Sequence, residues 1–380
     1  WCADHGVAGA VVSASHNPWH DNGIKLFAPG GLKLGDDAQH EVQRLLDVLV
    51  AESAGVGTLP DPGGTPAGGA ADAGDDTHER ALAAHAAAVT AAVGGRRLDG
   101  LRLVVDCAHG AAWELAPRVL ADLGADVTAI GVDPDGRNIN DACGSTHLAT
   151  LAAAVVDAGA DCGIAFDGDA DRVLAVDAHG EVVDGDQIIA VCALDLDRRG
   201  LLRGRAVVVT VMANLGFRRA MATAGIEVVE TPVGDRHVLE ALDRRGLVLG
   251  GEQSGHVIFR DHATTGDGLL TAAVLLDTLV RDGRDLATLA GEAMTRLPQV
   301  LVNVAVAARP ADLDRRLGPA LAAARTRLGD RGRILVRPSG TEPLVRVMVE
   351  ADTVAEAETV AAELAREVET ACGPGAGPAS

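Results

Sequence analysis

Lysine is almost absent from this chain. Among its 380 residues only Lys25 and Lys33 carry an ammonium side chain, and every other basic residue is arginine. Both stand within eighteen residues of Ser15, which points to a use for the ammonium group itself. Lysine shifts its pKa and shuttles protons, whereas arginine stays charged. Positive charge as a whole is scarce: the net charge is −21 and the pI is near 4.9. Nucleic-acid phosphates need a basic footprint, so a nucleic-acid partner is excluded. A small anionic substrate requires local clusters of Arg and Lys. C-x-x-C pairs are missing too. The six cysteines, Cys2, Cys107, Cys143, Cys162, Cys192 and Cys372, are scattered. That spacing argues against a zinc site or a disulfide frame and for reduced thiols in the cytoplasm. No apolar run reaches membrane-spanning length and no signal-peptide pattern is present, so no membrane partner is expected. The chain opens on Trp1 rather than Met and enters a strand almost at once, as expected of a piece of a longer protein.

What is there is an ordinary globular balance, 48% hydrophobic and 23% charged, long enough for several cores. Residues 1–98 read as a first region. It holds a buried apolar strand over 8–12, a turn over 13–18, and a second turn at Asp21-Asn22-Gly23 before a strand over 24–27. Helices are expected over 38–51 and 78–93, separated by a Gly-, Pro- and Ala-rich mobile surface loop over 53–76. Residues 99–199 alternate strands (101–106, 126–130, 162–166) with helices (113–123, 148–158), then give a hairpin around Ala178-His179-Gly180. That rhythm implies a mostly parallel sheet. Residues 200–299 repeat it, with strands over 206–211, 226–230 and 247–250 and helices over 216–224, 236–241 and 269–280. Residues 300–380 change character: strands over 300–306, 334–336 and 344–349 and helices over 312–328 and 354–368 read as a small α+β domain, ending in a frayed tail from 373.

Three motifs carry chemistry besides the turn Ser13-Ala14-Ser15-His16-Asn17-Pro18. A serine at the mouth of an α/β sheet is placed for covalent chemistry but needs activation; the bland alternative is a solvated turn. In extended backbone the side chains of Ser15 and His16 diverge, which argues against a Ser-His hydrolase. In Asp167-Gly168-Asp169-Ala170-Asp171-Arg172, carboxylates at spacing two fall on one side of an extended segment. Crowding them is unfavourable unless a cation binds, and an all-oxygen set selects Mg²⁺. An EF-hand is rejected because Arg172 and Ala178 occupy the positions that need Gly and Glu. The bland alternative is a solvated acidic turn. Gly250-Gly251-Glu252-Gln253-Ser254-Gly255-His256 sets Glu252 and Ser254 two apart after a strand, suited to sugar hydroxyls; a plain loop reads equally well. Arg337-Pro338-Ser339-Gly340-Thr341-Glu342-Pro343, with Arg346 beyond, suits a phosphate dianion or is simply a Pro-flanked hairpin turn. Together the four describe phosphoryl transfer, which rests on positioning and electrostatics, in a cleft that closes on its substrate.

These four motifs, in this order and spacing, resemble the α-D-phosphohexomutases, most closely the bacterial branch that acts on glucosamine phosphate. Gly136-Arg137-Asn138-Ile139-Asn140, Cys143-Gly144-Ser145-Thr146-His147, Val233-Gly234-Asp235-Arg236 and Thr265-Gly266-Asp267-Gly268 extend the match over essentially the whole chain. The resemblance implies a multi-domain α/β fold: three α/β domains with mixed sheets over 1–98, 99–199 and 200–299, and a C-terminal α+β domain over 300–380, around a central cleft. It implies a catalytic phosphate on Ser15, with His16, Lys25 and Arg172 as catalytic neighbours. Asp167, Asp169, Asp171 and an oxygen on Ser15 would hold one Mg²⁺ per active site. Glu252, Ser254 and His256 would bind the sugar, and Arg337, Ser339, Gly340, Thr341 and Arg346 the phosphate that is not reacting.

The implied reaction interconverts glucosamine 6-phosphate and glucosamine 1-phosphate through a 1,6-bisphosphate, feeding UDP-N-acetylglucosamine and cell-wall synthesis. The implied partners are a hexosamine phosphate and, as one assembly option, a second copy in a homodimer. Gln253 favours glucosamine, also only by resemblance. A phosphomannomutase/phosphoglucomutase and a non-catalytic sugar-phosphate-binding relative are the alternatives. Two departures stand out. The family's opening F-G-T-D-G-x-R-G segment, with an arginine expected at the reacting phosphate, is not in the sequence, so the first domain is expected to be partial. Pro232 stands where a basic residue is expected.

Overall fold

A computed structural model of the chain describes residues 1–53, 74–307, 312–339 and 343–373. It falls into two compact units, one of residues 1–211 with 229–290, the other of residues 212–228 with 291 onward. Most of the run read as a surface loop over 53–76, and the tail beyond Gly373, lie outside the described residues.

The first unit is organised by a five-stranded sheet. Its order is Asp126–Ile130, Arg102–Asp106, Cys162–Phe166, Val173–Asp177, Val182–Val183. The first three strands run parallel and the last two antiparallel. Leu103, Val104, Val105, Ile164, Ala165 and Phe166 are all buried. A strand covered on both faces reads as an unbroken apolar run, which is why these were visible in the sequence. Helix Ala149–Ala158 covers one face through Leu151 and Val155, which pack with Val104, Ala165 and Val176. The expected hairpin at 178–180 joins Val173–Asp177 to Val182–Val183. A second sheet, ordered Glu227–Thr231, Ala206–Thr210, Leu249–Gly251, Val257–Phe259, repeats the parallel core with an antiparallel edge.

A third sheet is a three-stranded antiparallel meander, Gly9–Ser13, Gly23–Ala28 and Leu32–Lys33. The strand expected to be buried is not: Val12 is 71% exposed and its partner across the ladder, Ile24, 68%. No residue of this meander is buried: Lys25 to Ala28 are half-buried, and Ala10, Val11, Val12 and Ile24 are exposed. β-branching led correctly to a strand but wrongly to burial. Helix Asp36–Ser53 likewise leaves Leu45, Leu46 and Leu49 exposed.

The sequence reading passed over three helices, Cys2–His5, Gly185–Arg198 and Leu286–Ala293, and two strands, Leu32–Lys33 and Val257–Phe259. In Gly185–Arg198 every residue from Ile188 to Ala193 is buried, so no polar face interrupts the run and no helical period emerges. Its start was nevertheless written in the chain. Asp184 and Gln187 form a reciprocal capping box: the Asp184 side chain accepts from the Gln187 N–H at 3.1 Å, and the Gln187 Oε1 accepts from the Asp184 N–H at 3.3 Å.

The second unit packs helices Leu313–Leu328 and Val354–Cys372 around an antiparallel sheet ordered Gln299–Ala305, Leu344–Glu350, Arg333–Pro338. Its core gathers Val304, Leu317, Val347, Val360 and Leu364. Fully buried Glu350 takes a two-pronged bond from Arg333 at 2.7 and 3.0 Å, and also accepts the Leu215 N–H at 2.9 Å. A buried carboxylate is tolerable when its oxygens are satisfied in this way.

One close approach ties the missed helix to the Glu252–Gly255 turn. The Gly185 N–H donates to the Gln253 carbonyl at 3.0 Å, and a Cβ there would stand 2.3 Å from the Glu252 carbonyl oxygen. Gly185→Ala is therefore expected to destabilise the first unit by about 1–3 kcal/mol, read as a lower urea midpoint by circular dichroism. An unchanged midpoint would contradict the packing described.

Candidate active site

The serine turn leaves the end of Gly9–Ser13 with Ser15 in left-handed backbone, φ 53. Its N–H is satisfied by the Ser13 Oγ at 2.9 Å, and the Asn17 N–H closes the turn onto the Ala14 carbonyl at 2.9 Å. The left-handed conformation overturns one expectation. Ser15 and His16 do not diverge: the Ser15 Oγ and His16 Nδ1 are 3.3 Å apart and hydrogen-bonded. Side-chain alternation holds for extended backbone, which Ser15 does not have. Burial and the Arg172 guanidinium hold the His16 pKa below its ordinary value, against the pull of Asp171 and Asp169.

The Ser15 carbonyl accepts the Gly168 N–H at 3.0 Å, which seats the serine turn on the acidic turn. A Cβ on Gly168 would stand 2.5 Å from that same carbonyl oxygen, so only glycine allows the approach. The acidic segment is itself a turn and not an extended stretch, with Ala170 at φ 57. Its three carboxylates meet because the chain curls, not because alternate residues share a face. One ligand oxygen from each of Asp167, Asp169 and Asp171 lies within 4.8 Å of the others. One buried oxygen of each, Asp167 Oδ2, Asp169 Oδ1 and Asp171 Oδ1, has no hydrogen-bond partner. A hard divalent cation fits that donor set.

The charges around the turn divide its carboxyls. Burial, with Asp171 and Asp169 alongside, pushes Asp167 up to about 8. Burial raises Asp171 too, but His256, Lys25 and Arg172 outweigh it and hold that carboxyl well below the usual carboxylate range. Lys25 donates to Asp169 and, at 3.2 Å, to Asp171. Burial lowers the Lys25 pKa, yet the two carboxylates reverse the sign and keep it a protonated acid. Arg172 gives its backbone N–H to the Asp167 Oδ1 at 3.1 Å, and its Nε stands 3.9 Å from Asp171.

Buried His256 stands behind the acidic turn. Its Nε2 accepts the Gly266 N–H at 3.1 Å and its Nδ1 is 3.6 Å from Asp171. Glu252 is half-buried, with Oε1 accepting the Gly234 N–H at 3.1 Å; Ser254 is exposed. Gln253 turns its amide to Asp184 at 3.4 Å. Lys33, singled out only by its rarity, donates to Asp235 of the V-G-D-R motif. In the second unit Arg337 and Arg346 face one another across the ladder. Burial, then Arg346, lowers the Arg337 pKa. Like charges directly opposite are unfavourable in a sheet, and an anion between such guanidiniums relieves them. Ser339 is buried, with its N–H on the Leu344 carbonyl at 2.8 Å. Gly340 and Thr341 lie outside the described residues.

The sequence reading gave no role to Asn140, which holds the serine turn from the side of the five-stranded sheet. Its Nδ2 donates to the Ser15 carbonyl at 2.8 Å and the Asn17 carbonyl at 2.9 Å. A buried asparagine carries no charge pattern or periodicity to announce it. The available signal was its place in the G-R-N-I-N stretch.

Comparison with known proteins matches the phosphoglucomutase/phosphomannomutase family in all four of its domain descriptions. These are alpha/beta/alpha domain I at residues 3–49, domain II at 83–180, domain III at 184–297 and the C-terminal domain at 301–367. The phosphoglucosamine mutase of Frankia alni is 56% identical over 97% of this chain and 78% of its own length. That of Thermobifida fusca is 52% identical over 96% and 77%. Among solved structures, a phosphoglucomutase/phosphomannomutase family protein from Burkholderia thailandensis aligns with TM-score 0.70 at 26% identity, over 96% of this chain and 76% of that one. The fold is also that of an Aspergillus fumigatus N-acetylphosphoglucosamine mutase solved with GlcNAc-6P and magnesium. Its TM-score is 0.71 at 24% identity, over 96% and 89%.

Asp167 makes cation binding depend on pH. Below about 8 its carboxyl holds a proton that a cation must expel; above, it is already ionised. For a divalent cation at this triad, affinity is thus expected to rise with pH up to about 8 and then level off, with about one proton released at neutral pH. Calorimetry in buffers of different ionisation heat measures the release. An affinity flat with pH across that range would refute the assignment.

Proposed function

The chain belongs to the phosphoglucomutase/phosphomannomutase family, and from that premise we propose that it is an isomerase interconverting glucosamine 6-phosphate and glucosamine 1-phosphate. The observation that supports the chemistry is the seating of the Ser15 carbonyl on Gly168, in the middle of the acidic turn. The preference for glucosamine rests on the phosphoglucosamine mutases named above.

In this reading Ser15 gives its phosphoryl group to the free hydroxyl of a hexosamine phosphate. The resulting 1,6-bisphosphate turns over, and the Ser15 Oγ takes back the other phosphoryl group. His16 stands 3.3 Å from that oxygen. With its pKa lowered it is neutral at pH 7, and in the tautomer with bare Nδ1 it accepts the hydroxyl proton. Lys25, held protonated by Asp169 and Asp171, serves as a proton donor. Asp167, Asp169, Asp171 and an oxygen on Ser15 would hold Mg²⁺, which when bound offsets charge on the transferring phosphoryl group. Arg172 lies beside the reacting phosphate. Glu252, Ser254 and the segment closed by His256 bind the sugar. Arg337, Ser339 and Arg346 bind the phosphate that is not reacting. Four domains over 1–98, 99–199, 200–299 and 300–380 carry these parts.

Among the described residues no helix is long and apolar enough to cross a membrane. The six cysteines are unpaired, which suits a protein working in the reducing cytoplasm.

Turnover assays with glucosamine, glucose and mannose 6-phosphates test the reading: the glucosamine compound should be converted fastest, and none converted would end the proposal. Ser15→Ala should abolish turnover. Asp169→Asn should lower kcat by about a hundredfold or more while leaving the melting temperature unchanged or higher. Removing one negative charge relieves repulsion, and Lys25 keeps Asp171 as a partner at 3.2 Å. A large fall in melting temperature with turnover intact would contradict the role given to Asp169.

A further inference from the structure

Left-handed backbone is concentrated near the serine turn. Besides Ser15 and Ala170, the non-glycine residues Ala108, His109, Asn140 and Ala142 have φ between 48 and 59. Such conformations are unfavourable for side-chain-bearing residues and persist where surrounding bonds over-determine them. The bonds are present. Buried Asp106, at the end of its strand, accepts the Ala108 N–H at 2.9 Å on one oxygen and the Gly144 N–H at 2.7 Å on the other. The Ala108 carbonyl then accepts the Asn140 N–H at 2.9 Å. The Ala111 N–H donates to the Gly168 carbonyl at 2.8 Å, and the Gly168 N–H donates to Ser15. A continuous ladder thus runs from the central sheet to the two carbonyls that Asn140 grips.

The grip is specific to a donor. Both atoms facing the Asn140 amide are carbonyl oxygens, so only its nitrogen end satisfies them. The Asn140 Oδ1 is left buried without a hydrogen-bond partner, an unfavourable arrangement that an apolar or smaller residue would avoid. An asparagine fits the left-handed backbone at φ 59, and its nitrogen is the part in use.

We propose that Asn140 is a positioning residue for the reacting serine. By fixing the Ser15 and Asn17 carbonyls it holds the left-handed turn from which the Ser15 hydroxyl projects, and so sets the direction of phosphoryl transfer without touching substrate. Its effect on catalysis rests on the mutase reading above; its grip on the turn does not.

Two variants of the full chain test it. Asn140→Gly keeps the backbone conformation and deletes the donor. Asn140→Asp keeps the shape and sets a carboxylate against two carbonyls. For both, kcat is expected to fall by about tenfold to a hundredfold while KM for glucosamine 6-phosphate stays within about threefold. Amide hydrogen exchange over residues 14–17 should accelerate by about tenfold or more, with strands Arg102–Asp106 and Cys162–Phe166 unchanged. A kcat within about twofold of the parent, unchanged exchange over 14–17, or equal acceleration across the five-stranded sheet would overturn the proposal. If the parent chain turns over no hexose phosphate, the mutase reading fails by itself, and the exchange comparison still decides whether Asn140 holds the turn.

Discussion

Mutual repulsion among three carboxylates is the constraint around which the first unit is arranged. Asp167, Asp169 and Asp171 bring their oxygens within 4.8 Å of one another on a turn that is largely withdrawn from water. With all three ionised, each pair of like charges at such separations would cost about 4 kcal/mol at an effective dielectric constant near 20. The fold answers from several directions. Lys25 reaches in from the antiparallel meander, Arg172 follows the turn in sequence, and His256 closes it from behind. One carboxyl is driven towards protonation and another away from it, so adjacent residues of one kind have opposite tendencies. Environment has given two identical side chains, Asp167 and Asp171, opposite protonation tendencies.

Close backbone contact is the second ingredient. Gly110 and Gly168 meet with no room for a Cβ on either: one on Gly110 would stand 2.3 Å from the Gly168 carbonyl oxygen. Main-chain amides therefore seat the acidic turn and the serine turn on the sheet, and their geometry does not depend on flexible side chains. A site that works by positioning gains from this, because small displacements of a reacting atom are costly in rate. The second unit follows a parallel logic with the sign reversed. Arg337 and Arg346 oppose each other on adjacent strands, a repulsion that an anion converts into an attraction.

Much of this was legible in the chain. The buried parallel strands appeared as unbroken apolar runs, and the acidic, Glu252-to-His256 and arginine-serine motifs by their residue types. What escaped did so for physical reasons. Helix Gly185–Arg198 is buried around most of its girth, so it has no polar face to reveal its period. The strand Gly9–Ser13 has β-branched residues but an open face, since composition reports conformation more directly than burial. Asn140 is one neutral amide among many, and only folding shows that two carbonyls converge on it.

The sequence by itself determined which groups are available: a serine before His-Asn-Pro, three aspartates at spacing two, two lysines in a chain of arginines, and guanidiniums flanking a Ser-Gly-Thr sequence. Residue type and local spacing are one-dimensional properties, and they suffice to name phosphoryl chemistry. Only the tertiary structure decided how those groups meet. Ser15 turns towards His16 because its backbone is left-handed, the aspartates converge because their segment curls, and Lys25 finds them from 144 residues away. The first two outcomes depend on backbone dihedrals that residue type alone does not fix, and the third on a contact whose partners no short window along the chain contains.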